Sequence, residues 1–173
     1  MNLDPIVRNS HGGLLAQGDK ASTIDAAHRF DVIVFCAQEY QPHPGHILQI
    51  NPRCRVLLAP NDDSELSHAQ LQIATEAAQD VAMAFAQGRR ILITCMQGRN
   101  RSGLVTALAL CMIYGVSGQR AARLVKERRT GAAALTNPHF VERLARIPAC
   151  HAVARKCVPR ATVSSEIARP AIG

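Results

Sequence analysis

A thiol and a guanidinium stand at the two ends of one short stretch, Cys95-Met96-Gln97-Gly98-Arg99-Asn100-Arg101. Before it runs Ile91-Leu92-Ile93-Thr94, apolar and β-branched. After it, from Ser102 to Tyr114, the chain is apolar all round in a helical pattern. The order is strand, loop, helix. A loop between a strand end and a helix N-terminus turns successive backbone N–H groups inward, and the helix dipole adds partial positive charge there. Such a bowl holds a phosphate dianion through the amides of residues 96–101. A cysteine at its lip sits in the same field, which lowers a thiol pKa from about 8.5 into a range of roughly 3.5 to 7.5. Cys95 is therefore expected to be a thiolate nucleophile. Arg101, whose planar fork matches two phosphate oxygens, is expected to clamp the anion and stabilise charge in the transition state. Ser102 could cap the helix and offer its hydroxyl to the sulfur as that sulfur departs. An inert core cysteine would not explain two arginines and an asparagine immediately after it.

Cleaving a phosphate ester also requires a proton for the leaving oxygen, which a carboxylic acid can supply. A strand expected over residues 54–59 ends at Pro60-Asn61-Asp62-Asp63-Ser64, at what should be the carboxyl edge of the sheet, where ligands of open α/β sheets bind. Asp63 lies 32 residues ahead of Cys95 and Asp62 lies 33 ahead. Either aspartate could be the acid, and both could merely cap the next helix.

At these residues a family becomes recognisable. TCMQGRNRSG resembles the His-Cys-x5-Arg-(Ser/Thr) signature of the cysteine-dependent protein tyrosine phosphatases, and the short chain is similar to their dual-specificity branch. One position departs: Thr94 stands where the family usually has His, the residue that helps tune the thiolate. CRVLLAPNDD, residues 54–63, looks like the matching segment of phosphoinositide phosphatases of this superfamily, a resemblance that favours Asp63 as the general acid and leaves Asp62 as the alternative. It implies a metal-free, cofactor-free reaction through a phosphocysteine, on phosphotyrosine and also phosphoserine or phosphothreonine. Asn100 before the arginine also resembles cysteine-type RNA 5′-triphosphatases. Arg99 at the rim resembles phosphoinositide phosphatases with highly anionic substrates. Nucleic acid is a partner only under the triphosphatase reading. A phosphate-binding module with impaired catalysis, suggested by Thr94, is the alternative of another class. Two supporting residues follow from the resemblance alone. Asn137 is a candidate brace for the phosphate loop, and Cys36, in CAQEY, is a candidate redox partner of Cys95.

The elements that must position these groups read as an α/β domain with a mixed central sheet of four to five strands flanked by helices. Residues 6–19 suggest one or two short strands around Gly12-Gly13, and 20–29 a short helix. DVIVFC, residues 31–36, is a continuous apolar run suited to a strand buried on both faces. With three prolines and a glycine, 38–52 reads as a loop. Its His43 and His46 lack further metal-ligand partners at sensible spacing. Ser67 and Gln70 form a capping box, and Leu71, Ala74, Ala78, Val81 and Phe85 follow at helical spacing until Gly88. Ser117 to Arg129 reads as an amphipathic helix with Ala121, Leu124 and Val125 inward and its bases, Arg129 included, mostly outward. Asn137-Pro138 opens a last helix through about Ile147. The resemblance spans about residues 6–147.

Composition sets the remaining bounds. A chain of 173 residues, 47% hydrophobic, suffices for one domain, expected over 1–148. A basic tail of little order is expected over 149–173. The net charge of +7 favours anionic partners, such as a phosphorylated protein, while 3% aromatics and no Trp disfavour a base-stacking groove. Six cysteines without paired short spacings, and no apolar leader, suggest reduced thiols and a cytoplasmic location. No apolar run is long enough for a membrane span.

Overall fold

The computed structural model describes residues 3–130 and 133–149. The basic tail expected at the C-terminus lies, from residue 150 onward, outside the described residues. Five strands form one mixed sheet: β1 (Leu3–Arg8), β2 (Leu14–Gly18), β3 (Val32–Phe35), β4 (Arg55–Leu58) and β5 (Arg90–Thr94). Their order across the sheet is β1-β2-β5-β3-β4. Only β1 is antiparallel, pairing with β2 through the Gly12-Gly13 turn. The other contacts, β2 to β5, β5 to β3 and β3 to β4, are parallel. The strand that ends at Cys95 is thus the central one.

Alternation along the strands sends side chains to two separate cores. Val32, Val34, Ile91 and Ile93 face a large core built with α3 (His68–Ala86), α4 (Arg101–Tyr114), α5 (Gly118–Arg128) and α6 (Pro138–Ala145). Ile33, Phe35 and Leu92 face a smaller one shared with Ala26 at the end of α1 (Lys20–Ala26) and Ile47 of α2 (Pro44–Ile50). With helices on both faces, β3 is buried throughout, as its unbroken apolar run requires. The capping box that starts α3 is present: Ser67 N donates to Gln70 Oε1 and Gln70 N donates to Ser67 Oγ, both at 3.1 Å. α4 is buried along nearly its whole length and stops at Gly115, whose φ of 67° is the left-handed geometry glycine tolerates.

Three expectations are corrected. Residues 38–52 are not an open loop, since they hold a single 3-10 turn at Gln38–Tyr40 and then α2. Pro44 occupies the first turn of α2, where its missing N–H costs nothing, and the His43 ring accepts from Gly45 N at 3.1 Å. Ser102 does not cap α4. The helix begins one residue earlier, and Asn100 at the cap position makes no side-chain cap bond because its amide is engaged elsewhere. Arg129 is not on the solvent face of α5 but buried, only 6% exposed.

Candidate active site

Cys95 follows β5 directly at the carboxyl edge of the sheet and is 3% exposed. Its Sγ lies 3.3 Å from Ser102 Oγ, which α4 places in its own first turn. Beneath it, Thr94 is fully buried. The Thr94 hydroxyl donates to Val34 O at 3.3 Å and accepts a bond from Gln41 Nε2, whose Oε1 in turn accepts from Ala37 N. Thr94 therefore pins the segment after β3 to the strand end beneath Cys95, without a charge of its own.

Residues 95–101 wrap back onto the sheet. Gly98 has φ 65°, and a side chain there would meet Gly18 C and O at 2.7 Å, so neither the conformation nor the space admits a Cβ. Gln17 Nε2 donates to Gly98 O at 2.9 Å, and Met96 O accepts from Lys20 N at 3.3 Å. Gln97 is exposed; its Oε1 is 3.5 Å from Arg99 Nη1. Arg99 turns away from the bowl, its Nε donating to Ala133 O at 2.9 Å.

Arg101 is 8% exposed and opens α4, one residue before Ser102. Its Nη1 donates to the Glu39 carboxylate at 2.5 Å, and its guanidinium lies 5.5 Å from the centre of the Tyr40 ring. The segment after β3 thus forms a wall of the bowl. Neither Glu39 nor Tyr40 was marked by sequence spacing, because both lie in the stretch that read as a plain loop.

The two aspartates part company. Asp62 Oδ2 accepts from Gln70 Nε2 at 2.9 Å, which joins it to the cap of α3. Asp63 faces the loop: Oδ2 accepts from Asn100 Nδ2 at 3.2 Å and Oδ1 from Asn137 Nδ2 at 3.3 Å. Asn100 Oδ1 accepts from the N–H groups of Thr136 and Asn137 at 2.7 and 3.2 Å. Asp63, Asn100 and Asn137 are therefore one connected cluster at the rim. Leu135 fills the space beside Gly103, where a Cβ would lie 3.1 Å from Leu135 Cγ. Leu135 itself has φ 51°, an uncommon geometry for a branched residue.

Cys36 follows β3, and Phe35 is registered against Thr94, so the two strands bring Cys36 and Cys95 out side by side. Cys36 N donates to Thr94 O at 2.9 Å. Burial pushes the Cys36 thiol well above its ordinary value; negative charge at Cys95 adds to this, and Arg101 opposes it. Among the described residues no cluster of three or more His, Cys, Asp or Glu could hold a metal ion.

Under the loop lies a group that the sequence reading had placed outside. Arg129 Nη1 donates to Asp4 Oδ2 at 2.7 Å and to Gln17 O at 3.1 Å. The signal was available, since Ala121, Val125 and Arg129 recur every four residues on one helix face.

Neither a family model nor a curated protein matches the sequence. Solved structures do. Tk-PTP in its active form is similar with a TM-score of 0.64 at 22% identity, over 84% of this chain and 98% of that one. Human DUSP28 gives 0.62 at 24%, over 83% and 90%. PTPMT1 in complex with PI(5)P gives 0.62 at 16%, over 84% and 93%. The chain has the fold of these cysteine-dependent, dual-specificity-like phosphatases.

Proposed function

We propose that this protein is a cysteine-dependent phosphatase that hydrolyses phosphate monoesters through a phosphocysteine. The observation that carries the reading is the Cys95 Sγ to Ser102 Oγ contact, 3.3 Å, between the end of the central strand and the start of the buried helix that Arg101 opens. Backbone amides of 96–101 and the dipole of α4 receive the phosphate oxygens. Arg101 clamps two of them, and its bond to Glu39 gives way or shifts as the dianion enters. In the first step Cys95 Sγ attacks phosphorus in line, the ester bond breaks, and Asp63 passes its proton to the leaving oxygen. In the second step Asp63 takes a proton from water, which attacks the phosphocysteine. The S–P bond breaks, phosphate departs, and the Ser102 hydroxyl stabilises the released thiolate. Asn100 and Asn137 hold Asp63 toward the loop.

Phosphorylated protein side chains, phosphotyrosine first, are the proposed substrates. A second reading, a phosphoinositide, is favoured by PI(5)P in one structural neighbour and by the chain's net charge of +7. The test is turnover of an aryl phosphate, a phosphotyrosine peptide, a phosphoinositide and a 5′-triphosphate RNA, each with and without vanadate. Vanadate-sensitive turnover of the first two supports the main reading. Turnover of the lipid or the RNA alone moves the substrate class, and binding without phosphate release makes the protein a phosphate-binding module.

A further inference from the structure

The segment 133–136, between α5 and α6 in the chain, has two sides. One is bonded to the phosphate loop: Ala133 O accepts from Arg99 Nε at 2.9 Å, Leu135 N donates to Arg99 O at 3.4 Å, and Thr136 N donates to Asn100 Oδ1 at 2.7 Å. The other borders an open groove of about 800 Å³ between the two helices. Pro138, Val141 and Ala145 line it from α6 at the three- and four-residue spacing of one helix face, while Phe140 and Leu144 turn to the core. Leu135 lies beneath it, wholly buried, with its side chain against Gly103 in the first turn of α4. The near end of the groove is the rim of the bowl. Thr136 and Pro138, both exposed, flank Asn137, whose amide donates to Asp63. The charges around the groove are unequal. Lys126 stands exposed on the α5 lip and Arg99 is fixed on Ala133 O, whereas Glu142, the acid on the α6 lip, is held by Arg146. An occupant therefore meets an apolar strip under net positive charge.

We propose that this groove is a substrate subsite for the polypeptide segment next to the phosphorylated residue, with a large apolar side chain against Val141 and Ala145 and an acidic one at Lys126. The proposal rests on the reading of the protein as a phosphatase of phosphorylated proteins. Three observations favour it. The groove and the rim share Thr136 and Pro138, and an extended chain covers about 3.3 Å per residue, so a side chain about three to five positions away enters the groove while the phosphate stays in the bowl. An apolar strip with a cation on its lip fits a chain that brings both apolar and acidic groups. An acyl chain would match the strip but carries no charge along its length for Lys126. Leu135, beneath the strip, keeps φ 51°, a geometry of the kind that clusters at ligand sites. Contacts made so far from the reacting phosphorus are equal in ground and transition states, so the subsite acts on KM and not on kcat.

The experiment compares the full chain on an aryl phosphate, too small to reach the groove, and on phosphotyrosine peptides. One peptide has only Gly and Ser around the phosphotyrosine; two others carry Leu and Glu about three to five positions before it or after it. The wild type is expected to show a KM about tenfold lower for one of the two Leu-Glu peptides, with kcat within about twofold. Ala145→Trp, which fills the groove from an exposed position, is expected to abolish that preference and to leave aryl phosphate turnover within about twofold. Lys126→Glu is expected to move the preference to a Leu-Lys peptide. Equal KM for all peptides in wild type, or a preference that survives either substitution, overturns the proposal. So does an Ala145→Trp effect confined to phosphoinositide vesicles, which gives the groove to lipid, or a wild-type dimer in sedimentation that Ala145→Trp dissociates, which gives it to a second copy. If Ala145→Trp does not fold, Lys126→Glu decides alone. A wild-type protein that turns over neither the aryl phosphate nor any peptide counts instead against the phosphatase reading, and the subsite falls with it.

Discussion

Arg101 Nη1 donates to the carboxylate of Glu39, so the guanidinium proposed to receive a substrate anion already holds a carboxylate. The Arg101 side chain is 9% exposed and that of Glu39 is 53% exposed. The pair is therefore half in solvent and modest in strength, about 1 kcal/mol or less. A phosphate dianion with several amide donors can compete with it. Glu39→Gln is expected to tighten inhibition by inorganic phosphate and by vanadate up to about fivefold. Weaker inhibition in this variant would mean that Glu39 instead braces Arg101 for the substrate.

The division of labour between the aspartates is open to the same kind of measurement. Asp63→Asn is expected to lower kcat on a phosphotyrosine peptide by about 10²–10⁴, the usual contribution of a positioned acid. Asp62→Asn should leave kcat within a few-fold and cost at most about 1 kcal/mol of stability, because Asp62 is tied to the α3 cap. Reversed effects would transfer the role to Asp62.

Gly98 tests the loop without touching the Cys95 or Arg101 side chain. Alanine there would take a φ of 65°, which costs roughly 1–2 kcal/mol, and would press its Cβ onto Gly18 at 2.7 Å. Gly98→Ala is expected to fold, by circular dichroism, and to lose vanadate binding. Retained vanadate affinity would show that the anion binds elsewhere.

Cys36 and Cys95 leave neighbouring strands together, which makes an oxidised pairing geometrically reasonable. Peroxide would oxidise the Cys95 sulfur to a sulfenic acid; the Cys36 thiolate would then attack that sulfur and displace hydroxide, which leaves as water on taking up a proton. Burial holds Cys36 protonated well above neutral pH, so its thiolate fraction rises tenfold with each pH unit. Closure of the disulfide is therefore expected to accelerate about tenfold per unit between pH 7 and 8. Peptide mapping that finds Cys95 only as sulfinic acid, with Cys36 free, would contradict this.

Much of the scaffold was legible because its signals are local. The capping box at Ser67 and Gln70, the unbroken apolar run of β3 and the stop at Gly115 are each written within a few residues. The strand-loop-helix around Cys95 was legible for the same reason. What escaped depends on which distant elements meet. Two short helical segments lay hidden in a proline-rich stretch because Pro44, read as a breaker, starts a helix as readily as it ends one. Glu39 reaches Arg101 across 62 positions, and Asp4 meets Arg129 across 125. The four-residue recurrence of Ala121, Val125 and Arg129 pointed to an inward arginine, but a buried cation is credible only once its carboxylate is found.

The central claim is that Cys95 carries the phosphoryl group. Rapid acid quench of the enzyme with a phosphotyrosine peptide, followed by mass spectrometry, tests it directly. The expected result is one added phosphoryl group on the peptide containing Cys95, present in wild type and absent in Cys95→Ser, whose turnover is abolished. Phosphate release by Cys95→Ser at the wild-type rate, or a phosphoryl group trapped on another residue, would contradict it.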